Sequence, residues 1–140
     1  MSMSSILFHR SLLLITACLL VPVALVIAQS AFAQPAGNAV AGKALYESKC
    51  GSCHSVDANR LGPLHRGIVG RKVASASGYA YSPAIKKLTG VWTPARLDLW
   101  LQNPQKFAPG SKMYLSVPDA RQRANIIVYL QSVSKPAPKR

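Results

Sequence analysis

Two cysteines two residues apart, with a histidine directly behind them, form the most chemically loaded stretch of this chain: Cys50-Gly51-Ser52-Cys53-His54. Each thiol can add across one vinyl group of a porphyrin, giving two thioether links from a single turn of backbone. The histidine is then held under the ring, where a neutral imidazole nitrogen can ligate iron. Cys-x-x-Cys-His is accordingly the attachment signal of c-type haem. Three other uses compete. A thioredoxin-like redox pair follows a strand in a βαβ unit, whereas the flanks here read as helical. A zinc site needs four ligands, and Cys50, Cys53, His54 and the distant His65 would supply them only by placing two adjacent residues on one tetrahedral ion. A structural disulfide leaves His54 without a task. Covalent haem uses all three residues at once.

The elements that position this motif begin after an address. Arg10 is the only charged residue before Lys43; an uncharged apolar run follows over residues 12–28, then Ala31-Phe32-Ala33. A basic start, an apolar middle and a small-x-small exit describe a secretory signal peptide over residues 1–33, with cleavage expected before Gln34. The alternative is an uncleaved anchor, since 17 uncharged residues are at the short end of membrane-spanning length. Pro22 and the Ala-x-Ala site favour cleavage. Cys18 reads as filler in the signal, because ten uncharged residues, 19–28, lie beyond it. Residues 34–140 then form one modest domain, expected in the periplasm. It keeps only Cys50 and Cys53, so there is no disulfide framework in a compartment that would permit one, and both thiols are available for thioether links.

Charge is the second global signal. The 140 residues carry a formal +13, and beyond the signal 16 basic residues face four acids, Glu47, Asp57, Asp98 and Asp119. Nucleic acid and an anionic membrane surface are possible partners of such a chain. The basic residues, however, are spread singly or in pairs, no basic helix with reader residues occurs, and the address is extracytoplasmic. An acidic protein partner is the better inference, with no nucleic acid and only transient membrane contact unless the anchor is kept.

Along the chain, residues 34–40 read as a frayed small-residue leader. Asn38 can cap a helix up to Lys49, with Val40, Ala44 and Leu45 as its apolar positions. Gly42 and Tyr46 lie one turn apart on it, and such a glycine can mark close approach by another helix. Residues 57–62 are loop, and the glycines and prolines through Gly62-Pro63-Leu64-His65 and up to Ser82 indicate irregular backbone. A proline carbonyl there could accept the second ring N–H of His54 and fix its tautomer. Pro83 can open a short helix through Ile85 and Leu88 that Gly90 ends. Thr93-Pro94 starts another, with Leu97, Trp100 and Leu101 as its buried stripe and Asn103-Pro104 as its stop. Ser116-Val117-Pro118-Asp119 is a capping-box variant that opens a helix whose Ile126, Leu130 and Val133 share a face, with Arg121 and Arg123 away from it. Pro136 and Pro138 end the chain. With no convincing strand and no repeat, the fold class is all-α.

An iron held by one histidine needs a sixth partner or keeps an open site. Beyond the signal, Met113 is the only thioether. A single methionine is usually core filler, but this one lies in a Pro109-Gly110 loop, where a stiff backbone could project it onto the opposite haem face. Here the chain resembles the class I cytochromes c, the small electron carriers of bacteria and mitochondria. The resemblance runs from about Gly42 to Leu130. It rests on the order and spacing of Cys50-x-x-Cys53-His54, Gly62-Pro63, Gly70-Arg71-Lys72, Gly78-Tyr79-x-Tyr81-Ser82, Trp92, Asn103-Pro104, Pro109-Gly110-x-Lys112-Met113 and Tyr129-Leu130.

The resemblance implies helices and loops wrapped around one covalent haem c, with His54 and Met113 as axial ligands and the Pro63 carbonyl on His54. It implies Arg71, Tyr81, Ser82 and Trp92 near the buried propionate. It places Gly42 and Tyr46 against the C-terminal helix near Ile126 and Tyr129, and Ser111, Asn103 and the Trp100 ring beside the Met loop. Trp100 stands where the family often has tyrosine. His65 departs further, because the family usually has an apolar residue there. Either the loop shifts so that Leu64 fills the slot, or an imidazole lies close to the ring; a satisfied loop histidine is the expected outcome, not a rival ligand, because His54 already holds that face.

Two-sided ligation saturates the iron and raises its potential, which suits one-electron transfer. The expectation is a monomeric periplasmic carrier, not an enzyme. Its partners would be acidic redox proteins: a reductase, an oxidase, a reaction centre or a periplasmic dehydrogenase. The alternatives are a peroxidase-like haem enzyme, which needs an open iron and acid–base residues, and a gas-binding haem protein, which usually lacks the sixth ligand. No acidic cluster accompanies the motif, and only two histidines lie beyond the signal.

Overall fold

The computed structural model describes residues 36–134, so the expected signal peptide over residues 1–33 and the terminal Pro136 and Pro138 lie outside the described residues. Five helices follow in order: α1 (Ala39–Lys49), α2 (Pro83–Lys86), α3 (Pro94–Gln102), α4 (Pro104–Phe107) and α5 (Ala120–Ser132). Among the described residues the only β pairing is one isolated bridge, Lys72 to Val91, so the all-α expectation holds. None of these helices is long and apolar enough to cross a membrane.

The helix starts are set by local chemistry. The side chains of Asn38, Ser82, Thr93, Asn103 and Asp119 each accept from a backbone N–H of the first turn. Each such cap is worth about 1 kcal/mol, and proline occupies the first position of α2, α3 and α4, where its fixed φ costs nothing. The short helix α4 was not expected: Asn103 ends α3 and caps α4, so the predicted stop is also a start. The helix opened by Pro83 is shorter than expected. It closes at Lys87 instead of running through Leu88.

Packing departs from the predicted stripes at two helices. On α1, Val40 and Ala44 are exposed and the buried pair is Gly42 and Tyr46. The reason is proximity: a Cβ on Gly42 would fall 2.0 Å from the Asn125 carbonyl oxygen, so α1 and α5 touch through backbone, and the Tyr46 and Tyr129 rings pack at 5.2 Å beside the crossing. The same approach orders the supposed leader from Ala36 onward. Asn38 N–H donates to Asn125 Oδ1 at 2.8 Å, and Arg121 donates to the Ala36 carbonyl at 3.2 Å.

On α5, Ile126 and Leu130 are buried as expected, but Arg123 is buried with them instead of facing water. Its guanidinium donates to Asp98 Oδ1 on α3 at 2.7 Å and to the carbonyls of Val117 and Pro118 at 3.0 and 2.6 Å. A buried charge is tolerated only when paired and hydrogen-bonded, and here all three acceptors come from outside α5. The α1, α3 and α5 helices thereby form one wall of the core, and the loops between them form the rest.

Candidate haem-binding site

The attachment motif begins at the C-cap of α1 and closes as a tight turn, with Cys53 and His54 N–H both donating to the Cys50 carbonyl at 3.1 and 2.9 Å. Arg60 clamps this turn by donating to the Gly51 carbonyl at 2.7 Å, and Gly62 N–H donates to the Cys53 carbonyl at 2.8 Å. Both cysteines are unpaired, Cys50 buried and Cys53 exposed. Burial pushes the Cys50 thiol up to about 11, against the smaller lowering effect of Lys49.

Gly62 is required by His54. A Cβ there would sit 2.1 Å from His54 Cε1, so only glycine lets the chain pass close enough for the next residue to meet the ring. That residue is Pro63, whose carbonyl lies 2.9 Å from His54 Nδ1. A carbonyl only accepts, so Nδ1 carries the proton and the lone pair resides on Nε2. Burial holds this imidazole below its ordinary value, partly offset by the Pro63 hydrogen bond. His54 is thus a neutral imidazole in a fixed tautomer, the state in which histidine ligates metal.

The ring faces a cavity of about 570 Å³ whose lining includes Cys50, Cys53, His54, Ile68, Arg71, Tyr81, Ser82, Trp92, Leu97, Trp100 and Met113. The volume is within the ~300–1,000 Å³ range of cofactor sites. The residues therefore fit a large flat prosthetic group: two free thiols and a neutral imidazole at one wall, a thioether among the remaining lining residues, and apolar surface between.

Every residue named in advance for the cofactor lines this cavity or, in the case of Pro63, both lines it and holds His54. Arg71 donates to the carbonyls of Arg66 and Leu64 at 3.1 and 2.7 Å. The Tyr81 hydroxyl accepts from Ala76 N–H at 3.2 Å. Ser82 is buried and caps α2. Trp92 is buried, whereas Trp100, expected in the stripe of α3, is half-buried with its ring 5.7 Å from that of Trp92.

His65 resolves in favour of an imidazole close by. Its ring stacks on His54 with centroids 4.1 Å apart and planes 18° from parallel, and its Nδ1 meets the Tyr46 hydroxyl at 3.2 Å. Burial above all, with the Arg71 guanidinium nearby, holds His65 well below its ordinary value, so it is neutral and satisfied.

Three contributors went unnoticed in the sequence. Arg60 clamps the motif. Asn59 ties two loops, donating to the Ser77 carbonyl at 2.8 Å while accepting from Leu64 N–H at 3.0 Å. Gln105 holds the Met113 loop. All three bond mainly to backbone groups, a role that several polar side chains can fill and no spacing announces.

Comparison with known proteins agrees with this geometry. The family model described as Cytochrome c matches residues 39–134. Cytochrome c2 of Rhodopila globiformis is 42% identical over 102 residues, covering 71% of this chain and 96% of that protein. The cytochrome c-type cyt cy of Rhodobacter capsulatus is 41% identical over 101 residues, 71% of this chain but only 51% of that protein, so the chain spans about half its length. Among solved structures, cytochrome cH from Methylobacterium extorquens superposes with a TM-score of 0.66 at 39% identity, covering 69% of this chain and 99% of that one. The chain belongs to the cytochrome c family. It is a small c-type electron-carrier cytochrome with one haem c attached through Cys50 and Cys53.

Proposed function

We propose that the chain is exported by its N-terminal segment and works in the periplasm. There it would carry single electrons between a membrane or periplasmic donor and a terminal acceptor, with His54 and Met113 as the axial ligands of its haem iron. The observation that carries the ligand assignment is the pairing of His54 Nδ1 with the Pro63 carbonyl. It leaves a neutral Nε2 lone pair on a residue lining the cavity that Met113 also lines. Bound there, a haem supplies a one-electron Fe(III)/Fe(II) couple whose potential a methionine ligand raises. The protein's own part is to hold one imidazole tautomer, offer one thioether and keep bulk water from most of the cavity.

The rim supports a protein partner. Leu61, Tyr114 and Leu115 line the cavity yet are exposed, and Lys49 and Lys112 line it too. An apolar patch with basic neighbours suits brief contact with an acidic redox protein.

Replacement of Met113 by alanine tests the ligand. The ferric protein should lose its weak far-red sulfur-to-iron band, and the potential should fall by on the order of 0.1 V or more, within the roughly 0.8 V that axial ligands command. The reduced variant should bind carbon monoxide readily where the parent binds it poorly. Rapid carbon monoxide binding by the unaltered protein would instead point to the open iron of a haem enzyme or gas-binding protein.

A further inference from the structure

We propose that Gln105 is the positioning residue that keeps the Met113 loop closed over the iron, and that it thereby gates foreign ligands. The proposal rests on the assignment of Met113 as sixth ligand and deepens it. Gln105 stands on α4, a single rigid turn capped by Asn103 and closed by the Ala108 N–H donating to the Pro104 carbonyl at 2.8 Å. From there its amide nitrogen reaches the Ser111 carbonyl at 2.9 Å, Ser111 Oγ at 3.0 Å and the Met113 carbonyl at 2.8 Å. One NH2 group with two hydrogens faces three oxygens, and two of those belong to the residue that leads into the loop.

Nothing comparable holds the loop otherwise. Backbone bonds anchor it at Ser111, whose N–H donates to the Ala108 carbonyl at 3.0 Å, and at Val117, whose N–H donates to the Leu101 carbonyl at 2.8 Å. Among the described residues, no backbone group of residues 112–116 pairs with another backbone group. Beyond Met113, Tyr114 and Leu115 are exposed, so packing holds that side weakly. On the other side Gly110 has φ +84°, a left-handed conformation suited to a hinge. A segment with few backbone bonds and little burial is one that opens locally. Opening it takes Met113 away from the cavity, and the Gln105 amide is the tie that must break first.

The test uses the ferric holoprotein and two substitutions of nearly equal volume. Gln105→Leu removes the donor. Gln105→Glu keeps size and polarity but turns an ionised acceptor toward three oxygens. Imidazole added to the ferric protein binds only when the sixth position opens, so stopped-flow binding rates read the gate. Binding should be about tenfold faster in Gln105→Leu, the loss expected for one net hydrogen bond, and faster again in Gln105→Glu, with both retaining the far-red sulfur-to-iron band at neutral pH. Parental rates in both variants overturn the proposal, provided that Met113→Ala is fast. A parental rate in Gln105→Glu alone also overturns it, because side-chain polarity and not donation would then be what matters. If Met113→Ala binds imidazole no faster than the parent, the ligand assignment itself fails and this proposal with it.

Discussion

His65 and Tyr46 depend on each other. Burial raises the Tyr46 phenol and keeps His65 neutral, so each needs the other's hydrogen bond at 3.2 Å. Tyr46→Phe leaves His65 Nδ1 unpaired and should cost about 1–3 kcal/mol in denaturant unfolding, the price of a stranded buried polar group. Replacing both, Tyr46→Phe with His65→Leu, removes both polar partners and should recover most of that loss. A double variant no better than Tyr46→Phe alone would show that the pair does not act as a unit. The residue scale is also where the sequence was most legible. Cys50, Cys53, His54 and Pro63 act through short fixed spacings, so their chemistry could be read from order alone. His65 could be flagged as a departure, but its partner is 19 residues away, and no local rule links them. Gln105 offered no mark at all, because two of its three contacts go to backbone oxygens.

Among the elements, starts were readable and faces were not. Asn38 and Thr93-Pro94 sit where expected, since caps are decided within one turn, whereas α5 is capped by Asp119 itself, three residues after the Ser116 of the expected capping box. The face of α1 was misread because a hydrophobic count gives weight to Val40 and none to glycine, whereas the contact with α5 is made by backbone at Gly42. Arg123 was placed outside because its type suggests water; Asp98 and two carbonyls, all from other elements, bring it in. A change at Gly42 therefore measures the crossing. Gly42→Ala gains about 1 kcal/mol of helix propensity, yet its Cβ would meet the Asn125 carbonyl at 2.0 Å, and forcing atoms into a packed contact costs ~1–3 kcal/mol or more. The net effect should be a lowered melting temperature, of about 4–8 °C per kcal/mol lost for a domain of this size. Ala44→Gly, at an exposed position on the same helix, should lose only the propensity difference. A Gly42→Ala variant as stable as the parent would mean that α1 and α5 are farther apart than described.

Over the whole molecule, charge is distributed so that the acids are occupied and the lysines near the cavity are not. Glu47 lies 3.8 Å from Lys43, Asp57 pairs with Arg66, Asp98 pairs with Arg123, and Asp119 caps α5. Those are the four acids of the chain. Among the described residues, Lys49, Lys86, Lys87, Lys106 and Lys112 enter no ion pair. Lys49 and Lys112 line the cavity itself, Lys86 and Lys87 lie at the end of α2, and Lys106 lies on α4 beside the Met113 loop. Unpaired like charges at an opening, here Lys49 and Lys112, steer an oppositely charged partner and speed encounter without tight binding. That suits a carrier, which must release each partner after every electron. The reaction with an acidic redox partner should therefore slow severalfold as ionic strength rises through about 0.1 M, where the Debye length falls to roughly 10 Å. Lys112→Glu, at the cavity lining, should slow it at low salt, and so should Lys106→Glu, on the helix α4 whose Gln105 holds the Met113 loop. Lys43→Glu, outside the cavity lining, makes the same change in net charge and should have much the smaller effect. Stopped-flow rates that respond equally to all three would mean that net charge alone governs encounter. Rates indifferent to salt and to all three would assign the lysines to some role other than docking.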